Sequence, residues 1–213
     1  MKSKQLIAAL VVLVAIAAVL LLWRRSSDST VNLRPSAAVG EVLAEEVGRL
    51  LGGNGKVVLF TRQPPADGPD ANRERIESFE AAIRRKGNLK LAAPEWLPMP
   101  PRGAMDLGVV GPDQILTALD KNPDANAFLV IAGLPPCSSA LVEKLAARSI
   151  KLVAVCGYTA DVRRWLESKA LAVAIIPRFG DLPPGTPAPK TAKDWFDREY
   201  QLFTPETTGQ LPY

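Results

Sequence analysis

Histidine is absent from this 213-residue chain. Its absence removes the commonest general base near neutral pH, a frequent metal ligand and every His-containing catalytic triad. Cysteine is scarce: Cys137 and Cys156 are the two in the chain. They do not form a Cys-x-x-Cys pair, so a thioredoxin-type redox site does not fit. No nucleophile–base pair stands out, and no enzymatic reaction, cofactor or metal site is expected. Surplus charge is also missing where it would count. The formal charge is +4, and Lys2, Lys4, Arg24 and Arg25 account for all of it, because no acid accompanies them. The balanced remainder lacks the clustered cations on which nucleic-acid affinity rests, so no nucleic-acid partner is expected.

Charge is missing altogether from Leu6–Trp23, an unbroken apolar run. A helix of that length measures roughly 27 Å at about 1.5 Å per residue, close to the hydrocarbon thickness of a bilayer. Basic residues flank the run, and Trp23 suits a membrane interface. A cleaved signal peptide ending at Ala15-x-Ala17 is one reading. The run continues past those alanines and exceeds a usual signal core, which favours an uncleaved anchor. The flanking cations barely decide orientation; a short amino-terminal tail inside and the bulk exported is the usual outcome for such a start. Residues 1–25 are thus expected to be a transmembrane signal-anchor and 26–35 a polar tether. Residues 36–178 form the α/β domain, and 179–213 a proline-rich tail with a short helix.

After the tether, apolar residues Val39, Val42, Leu43, Val47, Leu50 and Leu51 recur at helical spacing. Gly52-Gly53-Asn54-Gly55 ends that helix. It is not a phosphate loop, because it precedes a strand and lacks the Gly-Lys-Ser/Thr ending. Lys56–Thr61 is a continuous apolar run, as in a strand covered on both faces. A helix from about Asn72 to Lys86 follows, burying Ile76, Phe79, Ala82 and Ile83. Strands are expected at Leu89–Ala93, Ala127–Ala132, Lys151–Cys156 and Leu171–Ile176. Helices are expected at Pro112–Leu119, Ser138–Ala147 and Asp161–Ser168. This alternation implies a three-layer α/β/α, flavodoxin-like parallel sheet of about five strands, order 2-1-3-4-5, as a single lobe behind the transmembrane helix. The proline-rich Pro94–Gly103 is either a connection packing Trp96 on the sheet edge or a binding loop. In the tail, Thr191-x-x-Asp194 has the form of a capping box opening a helix through Tyr200.

The pattern resembles one lobe of the type I periplasmic ligand-binding proteins, relatives of sugar-binding transport receptors and of the lactose-repressor class. Gly40–Thr61 is similar to the helix, Leu-Gly-Gly-x-Gly-Lys-Val turn and strand that open the family's carboxyl-terminal lobe. Asn72–Phe79 is similar to the family's Arg-Glu-Arg-x-x-Gly-Phe helix start, with Ser78 in the glycine place. Leu116–Ala132, with Asn122-Pro-Asp124, and Lys151–Ile176, with Gly157-Tyr-Thr159, match the units that follow. Coverage is about residues 40–177; with the anchor and tether ahead of Ser36, a single lobe without the family's second one is expected. Where sugar binders carry Asn-Asp after the third strand, this chain reads Gly133-Leu-Pro-Pro-Cys137. Thr159 replaces an Asp, and Pro177 stands where some members have Gln.

The resemblance implies a ligand edge bordered by Arg73, Thr61, Arg62 and Thr159. Arg73 keeps the residue type of a family ligand contact; its guanidinium would take a carboxylate or hydroxyls, or else pair on the surface with Asp70 or Glu77. Cys137 and Cys156 fall near the carboxyl ends of neighbouring strands, where a disulfide and two free thiols fit equally. The expected protein is a non-enzymatic, exported domain in the inner or cytoplasmic membrane, its globular part periplasmic or extracellular. It would bind or sense a small, sugar-like solute. The alternative is a structural or protein-interaction module of a cell-envelope assembly with a degenerate ligand site.

Overall fold

The computed structural model describes residues 32–65, 67–97, 110–157, 161–178, 180 and 185–211. The expected membrane anchor lies outside these residues, as do most of the tether and Thr159. Among the described residues, no helix is long and apolar enough to cross a membrane.

The layering follows from strand β1 (Gly55–Arg62), whose Val57, Val58, Leu59 and Phe60 are all buried. A strand apolar on both faces needs a layer on each side. Val57 and Leu59 enter one core with Leu129, Val153 and Ile175. Val58 and Phe60 enter the other with Phe128, Ala154 and Ile176. Helices α1 (Arg34–Leu50) and α2 (Ala71–Lys86) cover the first face. Helices α3 (Pro112–Lys121), α4 (Ser139–Ala147) and α5 (Asp161–Glu167) cover the second.

The remaining strands are β2 (Leu89–Leu91), β3 (Glu95–Leu97), β4 (Ala127–Val130), β5 (Lys151–Val155), β6 (Leu171–Pro177) and β7 (Tyr200–Phe203). The sheet order is β2-β1-β4-β5-β6-β7, with β3 also on β1. The expected order of five parallel strands is therefore present, with two differences. The strand expected at Leu89–Ala93 is two short ones, which share the outer edge of β1. Leu89–Leu91 faces Gly55–Val57, and Glu95–Leu97 faces Phe60–Arg62. Pro94 lies between them and has no N–H to give a ladder. Trp96, on β3, is 46% exposed, so it does not pack as a connection anchor.

The second difference is in the carboxyl-terminal segment. Tyr200–Phe203 pairs antiparallel with β6, so a stretch expected only as tail closes the sheet. Phe203 and Leu211 enter the second core, and Phe196 of helix α6 (Ala192–Glu199) enters the first. The capping box forms as expected at the start of α6. Thr191 Oγ1 accepts the Asp194 N–H at 3.1 Å, and Asp194 Oδ2 accepts the Thr191 N–H at 2.9 Å.

Helix α2 is set from behind by α1. A Cβ on Gly40 would stand 2.4 Å from the Arg75 carbonyl oxygen and 2.7 Å from the Phe79 nitrogen, so only glycine permits this approach. Ser78, in the place where the family motif has glycine, uses its hydroxyl instead: Oγ donates to the Ala37 carbonyl at 2.7 Å. Asp70 caps the helix, its Oδ1 accepting the Arg73 N–H at 2.7 Å.

Candidate functional site

Strands β1, β4, β5 and β6 are parallel, so their carboxyl ends share one edge. Such edges are where ligands bind in open α/β sheets. Here the edge carries an open cleft of about 760 Å³. Ligand pockets commonly hold roughly 300–1,000 Å³.

The cleft has two unlike ends. At the β1 end its walls are the polar Arg62, Gln63, Asp70, Asn72 and Arg75 together with the apolar Pro64, Pro65 and Ala71. From β4 onward they are Ile131, Ala132, Val155, Cys156 and Pro177, with the backbone of Gly133 and Gly157 between. Tyr200, at the start of β7, closes the far side. Gly133 turns the chain away from β4 with φ 70°, a conformation that favours glycine. The loop after it is pinned by the fully buried Trp165, whose Nε1 donates to the Pro135 carbonyl at 2.9 Å. The far rim is thus fixed by the core rather than by the loop itself.

At the polar end, Asn72 joins the beginning of α2 to the end of β1. Its Nδ2 donates to the Arg62 carbonyl at 3.0 Å and to Thr61 Oγ1 at 3.2 Å. Thr61 is completely buried. It steadies Asn72 and, though expected at the ligand edge, is not among the residues that line the cleft. Arg73 is also placed otherwise than expected. Its Nη1 donates to the Gly68 carbonyl at 3.3 Å and its Nη2 to the Pro65 carbonyl, so it braces the loop between β1 and α2. Arg62 does border the cleft.

The residue that sequence reading missed is Arg75. Successive helical positions turn by about 100°, so residues three and four apart share a face. Measured by that turn, Asn72 and Arg75 lie nearer the centre of the buried stripe Ile76, Phe79, Ala82 and Ile83 than Arg73 does, although Arg73 is itself three before Ile76. That spacing was the available signal. Arg75 Nε is buried and meets no hydrogen-bond partner among the described residues. An unmet buried donor costs about 1–3 kcal/mol. The Asp70 carboxylate on the same wall is engaged by the helix cap.

The two thiols are free, so the disulfide reading is not realised. Cys156 sits buried in the cleft floor, and burial pushes its thiol up to about 12. Cys137 is half-buried; desolvation first, and then the Asp161 carboxylate, raise it above the usual thiol range. Among the described residues, no group of His, Cys, Asp or Glu is placed to hold a metal ion.

No protein-family model and no curated protein matches the chain. Solved structures do match it. GanP, a glucose-galactose binding protein from Geobacillus stearothermophilus, superposes with a TM-score of 0.54 at 14% identity, over 84% of this chain and 62% of that one. AraP, an arabinose binding protein from the same organism, gives 0.57 at 13% identity, over 84% and 63%. An ABC transporter solute binding protein from Agrobacterium vitis, bound with alpha-D-tagatopyranose, gives 0.55 at 15% identity, over 83% and 58%. The chain spans about three fifths of the length of these structures. At such identities the likeness is one of fold: the described residues take the fold of one lobe of a periplasmic sugar-binding protein.

Proposed function

We propose that this chain is a non-enzymatic solute-binding or sensing domain, tethered to the membrane by residues 1–25 and held outside the cytosol, with its site in the carboxyl-edge cleft. The observation that carries the reading is the cleft itself. It lies where the fold places ligands, its volume suits a small solute, and its β1 end carries the polar side chains of Gln63, Asn72 and Arg75. The fold shared with the sugar and solute binding proteins above supports the same use. The apolar run Leu6–Trp23 with its basic flanks supports the tether.

The test is thermal unfolding of the full chain in neutral-lipid nanodiscs against a panel of sugars, amino acids and organic anions. A solute that binds only the folded state raises stability by about 2.7 kcal/mol at a hundred times its Kd. A clear rise in Tm with one chemical class is expected; silence across the panel would contradict the reading. The rival reading, a protein-interaction module of an envelope assembly, draws on the exposed Trp96. A stable partner retained through membrane solubilisation, together with a silent panel, would favour it.

A further inference from the structure

Helix α6 and strand β7 bring Trp195, Phe196, Tyr200 and Phe203 to the sheet, and three of these aromatic rings serve the fold. Phe196 is buried in the first core and Phe203 in the second. Trp195 packs against the first core, with the Arg34 guanidinium 5.9 Å from its ring centroid. Among the four, Tyr200 lines the cleft. Resting on the solute-binding reading above, we infer that the Tyr200 hydroxyl is a solute contact and a determinant of specificity. The carboxyl-terminal segment is then a wall of the binding site.

The ring is held before any solute arrives. It stacks on Phe196 with centroids 5.9 Å apart and planes 23° apart, and it rests against the first core. The backbone around it is fastened to the end of β6. Tyr200 stands opposite Pro177 in the ladder. The Arg178 N–H donates to the Glu199 carbonyl at 2.7 Å, and Arg178 Nε donates to the Asp197 carbonyl at 3.1 Å. A phenylalanine would satisfy every one of these contacts. The hydroxyl is what they leave over: it can donate and accept, and it forms no hydrogen bond with the described residues. A tyrosine packed through its ring, with its polar tip beside a cleft, is placed to bond what enters there. Because the ring is already ordered, the contact costs little conformational entropy. In sheet order β7 is four strands from β1. Tyr200 therefore stands across the cleft from Arg62, Gln63 and Asn72, and adds a hydrogen-bonding group at the end where they supply none.

The test is fluorine NMR of the full chain in neutral-lipid nanodiscs, with a ring-fluorinated tyrosine in place of Tyr200, beside calorimetric titration. The probes are D-galactose, L-arabinose, L-glutamate, L-arginine and citrate, with empty discs as the blank. For a probe that binds by calorimetry, a saturable shift of the fluorine line is expected at the same Kd. Tyr200→Phe removes the hydroxyl and keeps the stack on Phe196. It is expected to weaken that probe by roughly 3-fold or more, the worth of one hydrogen bond, with Tm unchanged. A probe that binds without moving the fluorine line, or binds Tyr200→Phe as tightly as the wild type, would overturn the inference and leave the solute-binding reading standing. A loss of affinity matched by a fall in Tm would assign Tyr200 to packing and overturn it too. Silence from every probe would remove both.

Discussion

The contact between α1 and α2 and the cleft at the head of α2 are two ends of one device, built on opposite rules. Behind α2 the surfaces are matched closely. Gly40 leaves no room for a side chain, and Ser78 spends its hydroxyl on the Ala37 carbonyl. At the head of the same helix there is open volume, and a buried N–H goes unanswered. Local inconsistency of the second kind is characteristic of functional sites, whose cost is met elsewhere in the fold. The close packing holds α2 in place, so that its beginning keeps Asn72 and Arg75 at the cleft wall.

Substitutions can separate these two regions. The largest effect is expected from Gly40→Val, which forces carbon against the Arg75 and Phe79 backbone. Overpacking of that kind costs about 3 kcal/mol or more, measured by urea unfolding. Wild-type stability in this variant would break the comparison. Trp165→Phe comes next. It keeps most of the core but leaves the buried Pro135 carbonyl without its 2.9 Å donor, at a cost of about 1–2 kcal/mol. Because that carbonyl lies two residues after Gly133 of the cleft wall, solute affinity should fall as well, which joins core and cleft in one measurement.

Thr191→Ala, at the cap of α6 and not among the residues lining the cleft, is expected to cost about 1 kcal/mol with affinity unchanged. Its partner gives a pH signature. The Asp194 carboxylate accepts the N–H groups of Lys190 and Thr191, which holds its pKa below the ordinary value. The folded pKa therefore lies below the unfolded one. The stabilisation is complete above the unfolded value near 3.8 and is lost as pH falls through the folded one. Asp194→Asn should flatten that part of the acid unfolding curve. The smallest stability change is expected from Gly157→Phe. A Cβ there meets nothing within 4 Å, so the fold should hold to within about 0.5 kcal/mol. The ring would nonetheless fill the cleft, and solute binding should disappear. A binding-competent Gly157→Phe variant would place the site elsewhere.

The sheet was legible in the sequence because β1, β4, β5 and β6 are buried on both faces and read as continuous apolar runs. β7 was not, since Tyr-Gln-Leu-Phe is short, half-polar and edge-placed, and prolines precede it. The split of the second strand at Pro94 was readable only in hindsight, from the missing N–H. At the candidate site, the carboxyl edge was legible because topology dictates it, and Arg62 lines the cleft there. Motif likeness pointed to Arg73, whereas the cleft is lined by Arg75, which lies nearer the centre of the buried helical stripe. The burial of Thr61 was not legible, because alternation along β1 does not tell a buried hydroxyl serving Asn72 from one facing solvent.

The most direct measurement is an amide-resolved NMR titration of the full chain in nanodiscs, with the solute that most raises Tm. Gly133 and Gly157 mark the carboxyl edge, and Gly52 and Gly53 mark the turn at the opposite end of β1. Saturable shifts at Gly133 and Gly157, with Gly52 and Gly53 unmoved, are the expected result. Shifts confined to Gly52 and Gly53, or none with any solute, would contradict a binding site at the carboxyl edge.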